Sequence, residues 1–151
     1  MVALSSGIIV RRLMPQDRAA WDELWASYLA FYESSDLPPE VSDTTFARFL
    51  DPAEPMFALI VEKNTQVIGF AHCVVHRATW TTGFYCYLED LFVSPEARGS
   101  GAGRALIEAI YKQADAEGWD RVHWLTHETN TQARKLYDAV AQNRGFIQYR
   151  R

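Results

Sequence analysis

Two groups of residues in this sequence are placed for chemistry. Glu89 and Asp90 are adjacent carboxylates inside the apolar run Tyr87-Leu88-Glu89-Asp90-Leu91-Phe92-Val93, and a few residues later comes Arg98-Gly99-Ser100-Gly101-Ala102-Gly103-Arg104. A carboxylate in apolar surroundings can take a proton from a reacting group. Glycines that strip side chains from a loop at a helix start expose unpaired N–H groups at the positive end of the helix dipole, which suits an anion. Spacing narrows the choice of anion. A phosphate loop needs Lys-Ser/Thr after its last glycine, and here Gly103 is followed by Arg104-Ala105; the dinucleotide pattern GxGxxG lacks its third glycine or alanine. Nucleotide hydrolysis and hydride transfer therefore lose their support.

The elements that must position these residues follow from periodicity and breakers. Residues 8–13 form a β-branched run stopped by Met14-Pro15, and a helix begins at Gln16 or Asp17 with Trp21, Leu24, Trp25, Tyr28, Leu29 and Tyr32 on one face. That aromatic stripe reads as core packing. The stretch 33–43, rich in Pro, Ser and acid, reads as an exposed loop before a short helix over 44–50. Residues 56–63 and 66–76 read as a hairpin around Asn64-Thr65, and a third strand over 84–93 delivers the chain to the glycine loop. A helix over 103–117 ends at Gly118 and a strand follows over 121–126, an order that predicts a right-handed parallel crossover. A helix capped by Asn130 or Thr131 and a final strand over 146–149 complete the chain. One domain spans 1–151.

Arg98, Gly101 and Gly103 match the R/Q-x-x-G-x-G/A signature of the GNAT N-acetyltransferases, and the run from Leu88 to Ile110 resembles that family's motif A from strand through helix. Asn130, Ala133, Tyr137, Gly145 and Phe146 resemble its motif B. The resemblance is weakest before Met56. It implies a mixed, mostly antiparallel twisted α/β sheet of about six to seven strands with helices on both faces, and acetyl-coenzyme A in the gap between strands 84–93 and 121–126. Backbone groups of Leu91, Phe92 and Val93, the loop Arg98 to Arg104, Asn130 and Arg134 would hold the coenzyme. Tyr87 to Val93 resembles the spermidine/spermine and thialysine branch, where the Glu at this place serves as base; the C-terminal stretch resembles the histone and amino-acid branch. Glu89 is then the base and Tyr137 the acid that protonates the leaving thiolate. Simple alternation sends Glu89 and Asp90 to opposite faces, with Asp90 a structural or substrate-binding partner.

The resemblance implies that the acceptor is a primary amine, and a small cationic amine or amino acid is expected. An alkyl ammonium has a pKa of about 10.4, so a proton must leave before attack. Glu33 and Asp36 in the acidic loop, Trp80, His127 and Glu128 are candidates to meet that amine; caps, solvated charges and loop packing are their structural alternatives. Aminoglycoside or protein-lysine acetylation and a non-catalytic acyl-coenzyme A sensor remain open.

The wider composition bounds the class. The 151 residues are 48% hydrophobic with a formal net charge of -4, which argues against a nucleic-acid binder, and no apolar run suits a membrane or a secretory signal. Cys73 and Cys86 lack metal or redox spacing and read as buried thiols in a cytoplasmic protein. His72 and His76 share a strand face but have no third ligand, so no metal is expected. A homodimer through the C-terminal strands is implied by the resemblance alone.

Overall fold

The computed structural model describes residues 2–3 and 7–151, and its centre is a six-stranded sheet in the order β1 (Val2–Ala3), β2 (Ile8–Arg12), β3 (Met56–Lys63), β4 (Gln66–His76), β5 (Tyr85–Val93), β6 (Arg121–His123). Neighbours are antiparallel up to β5; β5 and β6 are parallel, as the intervening helix α3 (Ala102–Glu117) requires. Asn64 and Thr65, at φ 51° and 66°, make the tight turn between β3 and β4.

Helix α1 (Arg18–Phe31) and helix α2 (Pro39–Leu50) cover one face of the sheet. Before α1, the buried Asp17 carboxylate accepts the Met14 N–H at 2.7 Å and two N–H groups from Arg11, which fixes where the chain turns. Trp21, Leu24, Phe46 and Phe49 from these helices pack on Ala58, Ile60, Phe70 and Phe92. On the opposite face, Leu106, Ile107 and Ile110 of α3 pack on Val61, Ala71, Cys73, Cys86 and Leu88, with Leu136, Tyr137 and Val140 of α4 (Thr131–Val140) against them. Gly118, at φ 75°, ends α3 with its N–H on the Ala114 carbonyl at 2.8 Å.

Several elements differ from expectation: β6 ends at His123 rather than reaching residue 126. Helix α2 starts at Pro39 rather than near Thr44, because a proline at the first helical position has the right φ and needs no N–H partner. The strand expected over 146–149 does not form: Phe146, Ile147 and Tyr149 are 88%, 75% and 89% exposed, and among the described residues no strand pairs with them to complete a ladder. The sheet therefore has six strands. Among the described residues no helix is long and apolar enough to cross a membrane, and no group of three or more His, Cys, Asp or Glu is placed to hold a metal.

Candidate active site

The site begins where β5 loses its second neighbour. Only Tyr85, Cys86 and Tyr87 pair with β6, so from Leu88 onward one edge of β5 faces open space. After His123 the chain turns toward the helices, where the Trp124 ring meets Tyr137 at 5.4 Å.

The same stretch of β5 carries an irregularity. Asp90 pairs with His72 and Leu88 with Cys73, which leaves Glu89 as an extra residue without a partner, a bulge. Leu88 and Leu91, three apart, both pack toward α3, while the Asp90 carboxylate and the Phe92 ring meet α1. The expected alternation of Glu89 and Asp90 is thus broken: the bulge frees Glu89 from both ladders and leaves it exposed beside its neighbour. Partial covering of its carboxyl group by neighbouring side chains, and then the adjacent Asp90 charge, push the Glu89 pKa above its ordinary value.

Asp90 is fixed from the other side. Its Oδ1 accepts the Tyr28 hydroxyl at 2.8 Å, and its Oδ2 lies 2.8 Å from His72 Nδ1. His72 Nε2 in turn lies 3.0 Å from Trp21 Nε1. Tyr28 and Tyr32 rings stand 4.9 Å apart, and the His127 ring lies 5.7 Å from Tyr32. Tyr137 joins this group from α4. Burial, then the nearby Tyr32 phenol, push its pKa up to about 12, so it holds its proton firmly. Tyr87 is raised by burial and by Glu89 and Asp90, with Arg150 opposing.

At the end of β5 a one-turn 3-10 helix, Pro95–Ala97, leads into the glycine loop. Gly99 and Gly101 have φ of 82° and 86°, and an added Cβ at either would meet nothing within 4 Å, so the loop surface is open. The first N–H groups of α3 have no helical acceptor. Ser100 Oγ is the one buried side-chain polar atom among the described residues that lacks a hydrogen-bond partner. An orphaned hydroxyl in an open, donor-rich loop fits a phosphate-bearing coenzyme. Gly103 also has a packing part: a Cβ there would lie 3.2 Å from Leu136 Cδ2, so its bareness lets α4 approach α3.

The remaining candidates divide. Arg98 is exposed at the loop, whereas Arg104 pairs with Glu108 at 2.9 Å along the helix surface. Arg134 donates to the Glu128 carbonyl at 2.7 Å, and Asn130 stands at the N-cap position of α4 with no side-chain capping bond, its amide donating instead to Thr126 Oγ1 at 3.2 Å. Glu33 and Asp36 are exposed just past α1, Glu33 next to Tyr32. Trp80 is 87% exposed on the loop before β5, at the end of the strand away from the glycine loop, so the structure does not bring it to the opening. Sequence reasoning passed over Trp21, Tyr28 and Tyr32 as core and set His72 aside as a failed metal ligand. A signal existed in a histidine inside an otherwise apolar strand, but its partner depends on the bulge.

The fold is shared with solved acetyltransferases. An aminoglycoside N-acetyltransferase solved with coenzyme A superimposes with a TM-score of 0.82 at 20% identity over 100% of this chain and 98% of that one. Another, from an uncultured soil metagenomic sample in complex with trehalose, gives 0.80 at 17% identity over 97% of each chain. The sequence profile of the Acetyltransferase (GNAT) family matches residues 19–141. The chain belongs to this family of N-acetyltransferases, which use acetyl-coenzyme A. It is 40% identical over 146 residues to a D-amino-acid N-acetyltransferase of Saccharomyces cerevisiae, covering 95% of this chain and 90% of that protein. It is also 32% identical over 74 residues to a thialysine N-epsilon-acetyltransferase of Bos taurus, covering 49% and 43%.

Proposed function

We propose that this chain transfers acetyl from acetyl-coenzyme A to the primary amine of a small amino acid or cationic amine, by direct attack with both substrates bound. The observation that carries this reading is the pair Glu89 and Asp90, held at a bulge where β5 parts from β6, with Tyr137 close to Tyr28 and Tyr32 and the glycine loop at the strand's end. Two carboxylates and a set of tyrosines make a site for a cation. The 40% identity to a D-amino-acid N-acetyltransferase favours an amino acid among the candidate amines.

Each residue has a definite task. Loop amides from Gly99 to Gly103, with Ser100 and Arg98, bind the pyrophosphate, and Asn130 and Arg134 shape the α4 side. Acetyl-coenzyme A supplies the thioester. Glu89 takes the ammonium proton, directly or through water, and its raised proton affinity suits that work near neutral pH. The amine nitrogen then bonds to the acetyl carbon, backbone N–H groups of the Leu91 to Val93 stretch support the oxygen's negative charge, and the carbon–sulfur bond breaks. Tyr137 gives its proton to the departing sulfur, and the second proton shed by the acylated nitrogen restores the phenol, leaving a neutral amide and a free thiol. Glu33, Asp36, His127 and Glu128 line the approach of the acceptor. Two copies associate through the exposed segment around Phe146, Ile147 and Tyr149, whose unpaired backbone and apolar side chains suit addition to a partner's strand, and the protein works in the cytoplasm.

The test is release of free thiol from acetyl-coenzyme A by purified protein, offered D- and L-amino acids, thialysine, spermidine, aminoglycosides and lysine peptides in turn. Turnover with an amino acid or small cationic amine is expected. Tight coenzyme binding without turnover on any amine would replace this reading with that of a coenzyme sensor.

A further inference from the structure

His72 takes no part in the transfer just described, yet it is 2% exposed at the centre of the α1 face. Its ring stacks on Phe70 at 4.2 Å and meets Phe49 at 4.6 Å and Trp25 at 5.2 Å. Both of its nitrogens are engaged, by Trp21 Nε1 at 3.0 Å and Asp90 Oδ2 at 2.8 Å. An indole N–H can only donate, so Nε2 has to accept and must be bare. The single ring proton therefore sits on Nδ1 and donates to Asp90. A second proton would have to be placed on Nε2, directly against the indole hydrogen.

The consequence falls on Asp90. Its two partners, the His72 N–H and the Tyr28 O–H, are both neutral donors, and no Lys or Arg among the described residues pairs with it. The titratable groups around it are His72 and Cys73 of β4, Tyr28 and Tyr32 of α1, and Tyr87 and Glu89 of β5; none brings a positive charge. Around His72 itself, α1, α2 and β3 supply only uncharged side chains, Trp21, Trp25, Tyr28, Phe49 and Ala58, and the one charge is Asp90.

We infer that Trp21 and His72 are positioning residues which hold Asp90 as an unneutralised carboxylate, and that Asp90 receives the acceptor's ammonium group before Glu89 takes its proton. This deepens the amine-acetylation reading and rests on it. An unlocked His72 beside Asp90 would gain a proton on acidification and cancel the charge that attracts the amine. The indole N–H removes that option, and burial, which holds the His72 pKa below its usual value against the pull of Asp90, works in the same direction.

The lock is tested without activity by nitrogen NMR of the full chain carrying labelled histidine. The expected result is one histidine with Nδ1 protonated and Nε2 bare throughout about pH 5 to 8. A His72 bearing a proton on Nε2 in that range would overturn the inference. Its effect on the acceptor is tested with Trp21→Phe against Trp25→Phe. Trp25 packs on the same ring but donates to Ser42 Oγ at 2.9 Å, so its replacement loosens the packing and leaves the lock intact. Trp21→Phe is expected to raise KM for the amine about tenfold or more as pH falls through the histidine range, with KM for acetyl-coenzyme A unchanged, as befits loss of a charged hydrogen bond. Identical pH profiles for the two variants would refute the positioning role. Failure of the wild-type protein to acetylate any amine would instead remove the proposed function and the ammonium role of Asp90, while the NMR result would still decide the lock.

Discussion

Gly69 lies on β4 opposite Val93 of β5, and one added methyl group there tests how the site strand is set. Alanine at this position places a Cβ 2.5 Å from the Phe92 carbonyl oxygen, 3.0 Å from Val61 Cγ1 and 3.2 Å from Val93 Cα. Ordinary contact begins at 3.4 Å, and two of these neighbours are backbone atoms that cannot rotate away. The two strands must part by about 0.9 Å, an overpacking that costs about 1–3 kcal/mol, or about 2–12 °C in Tm for a chain of this size. The displaced stretch joins Asp90 to the glycine loop, so a shift of order 1 Å lowers turnover by up to about 100-fold. Urea unfolding followed by tryptophan fluorescence, together with amine-dependent thiol release, reads both effects. Gly99→Ala is the comparison: its φ of 82° carries backbone strain of about 1–2 kcal/mol, but the added methyl meets nothing. A Gly69→Ala protein with the wild-type urea midpoint and full turnover would refute the claim that the close approach of β4 sets β5.

Glu89→Gln is expected to lower kcat/KM about 100-fold or more near neutral pH, with partial recovery at high pH where free amine accumulates; full activity in a pH–rate series would remove Glu89 as the base. In the wild type the acidic limb of that series lies above the ordinary glutamate value, because partial covering by neighbouring side chains and Asp90 raise the Glu89 pKa. Tyr137→Phe is expected to reduce kcat with little change in coenzyme affinity measured by calorimetry, and weakened coenzyme binding at unchanged kcat would make it a packing residue instead. Burial depresses the pKa of His72, so the stability it permits is fully present above its unfolded value of about 6.5 and declines as pH falls from there toward the folded value, by up to about 1.4 kcal/mol per unit. Equilibrium unfolding of the wild type and of His72→Asn should diverge in slope below about pH 6.5, and parallel curves would contradict the assignment.

The order of elements was legible because hydrophobic period and breakers act locally. Gly101 and Gly118 bracket α3 as left-handed caps, and alternation marked the β3–β4 hairpin. What escaped depends on contacts between distant residues. Nothing near Glu89 announces the bulge, which exists only as a mismatch between β4 and β5, and that mismatch decides that Asp90 meets His72 while Glu89 has no partner on β4. Trp21 was visible as an apolar position, but whether its indole N–H meets a histidine 51 residues away is a property of the packed face. Gly103 read as part of an anion loop, and spacing alone does not show that its bareness also seats a helix. The final strand had strand-like residues and no partner, and pairing, not propensity, makes a strand.

The sheet also divides the interior into two apolar clusters, one beneath α1 and α2 and one beneath α3 and α4. Substitutions in separate clusters share few contacts, so their effects on stability should add. The second cluster is tied to the glycine loop and the close seat of Leu136 on Gly103 and has little room to drift. The first adjoins Asp90 and Tyr32 and carries no such backbone constraint. Descendants of this chain can therefore change the amine they accept by rebuilding the α1 and α2 side, while the coenzyme side is inherited almost intact.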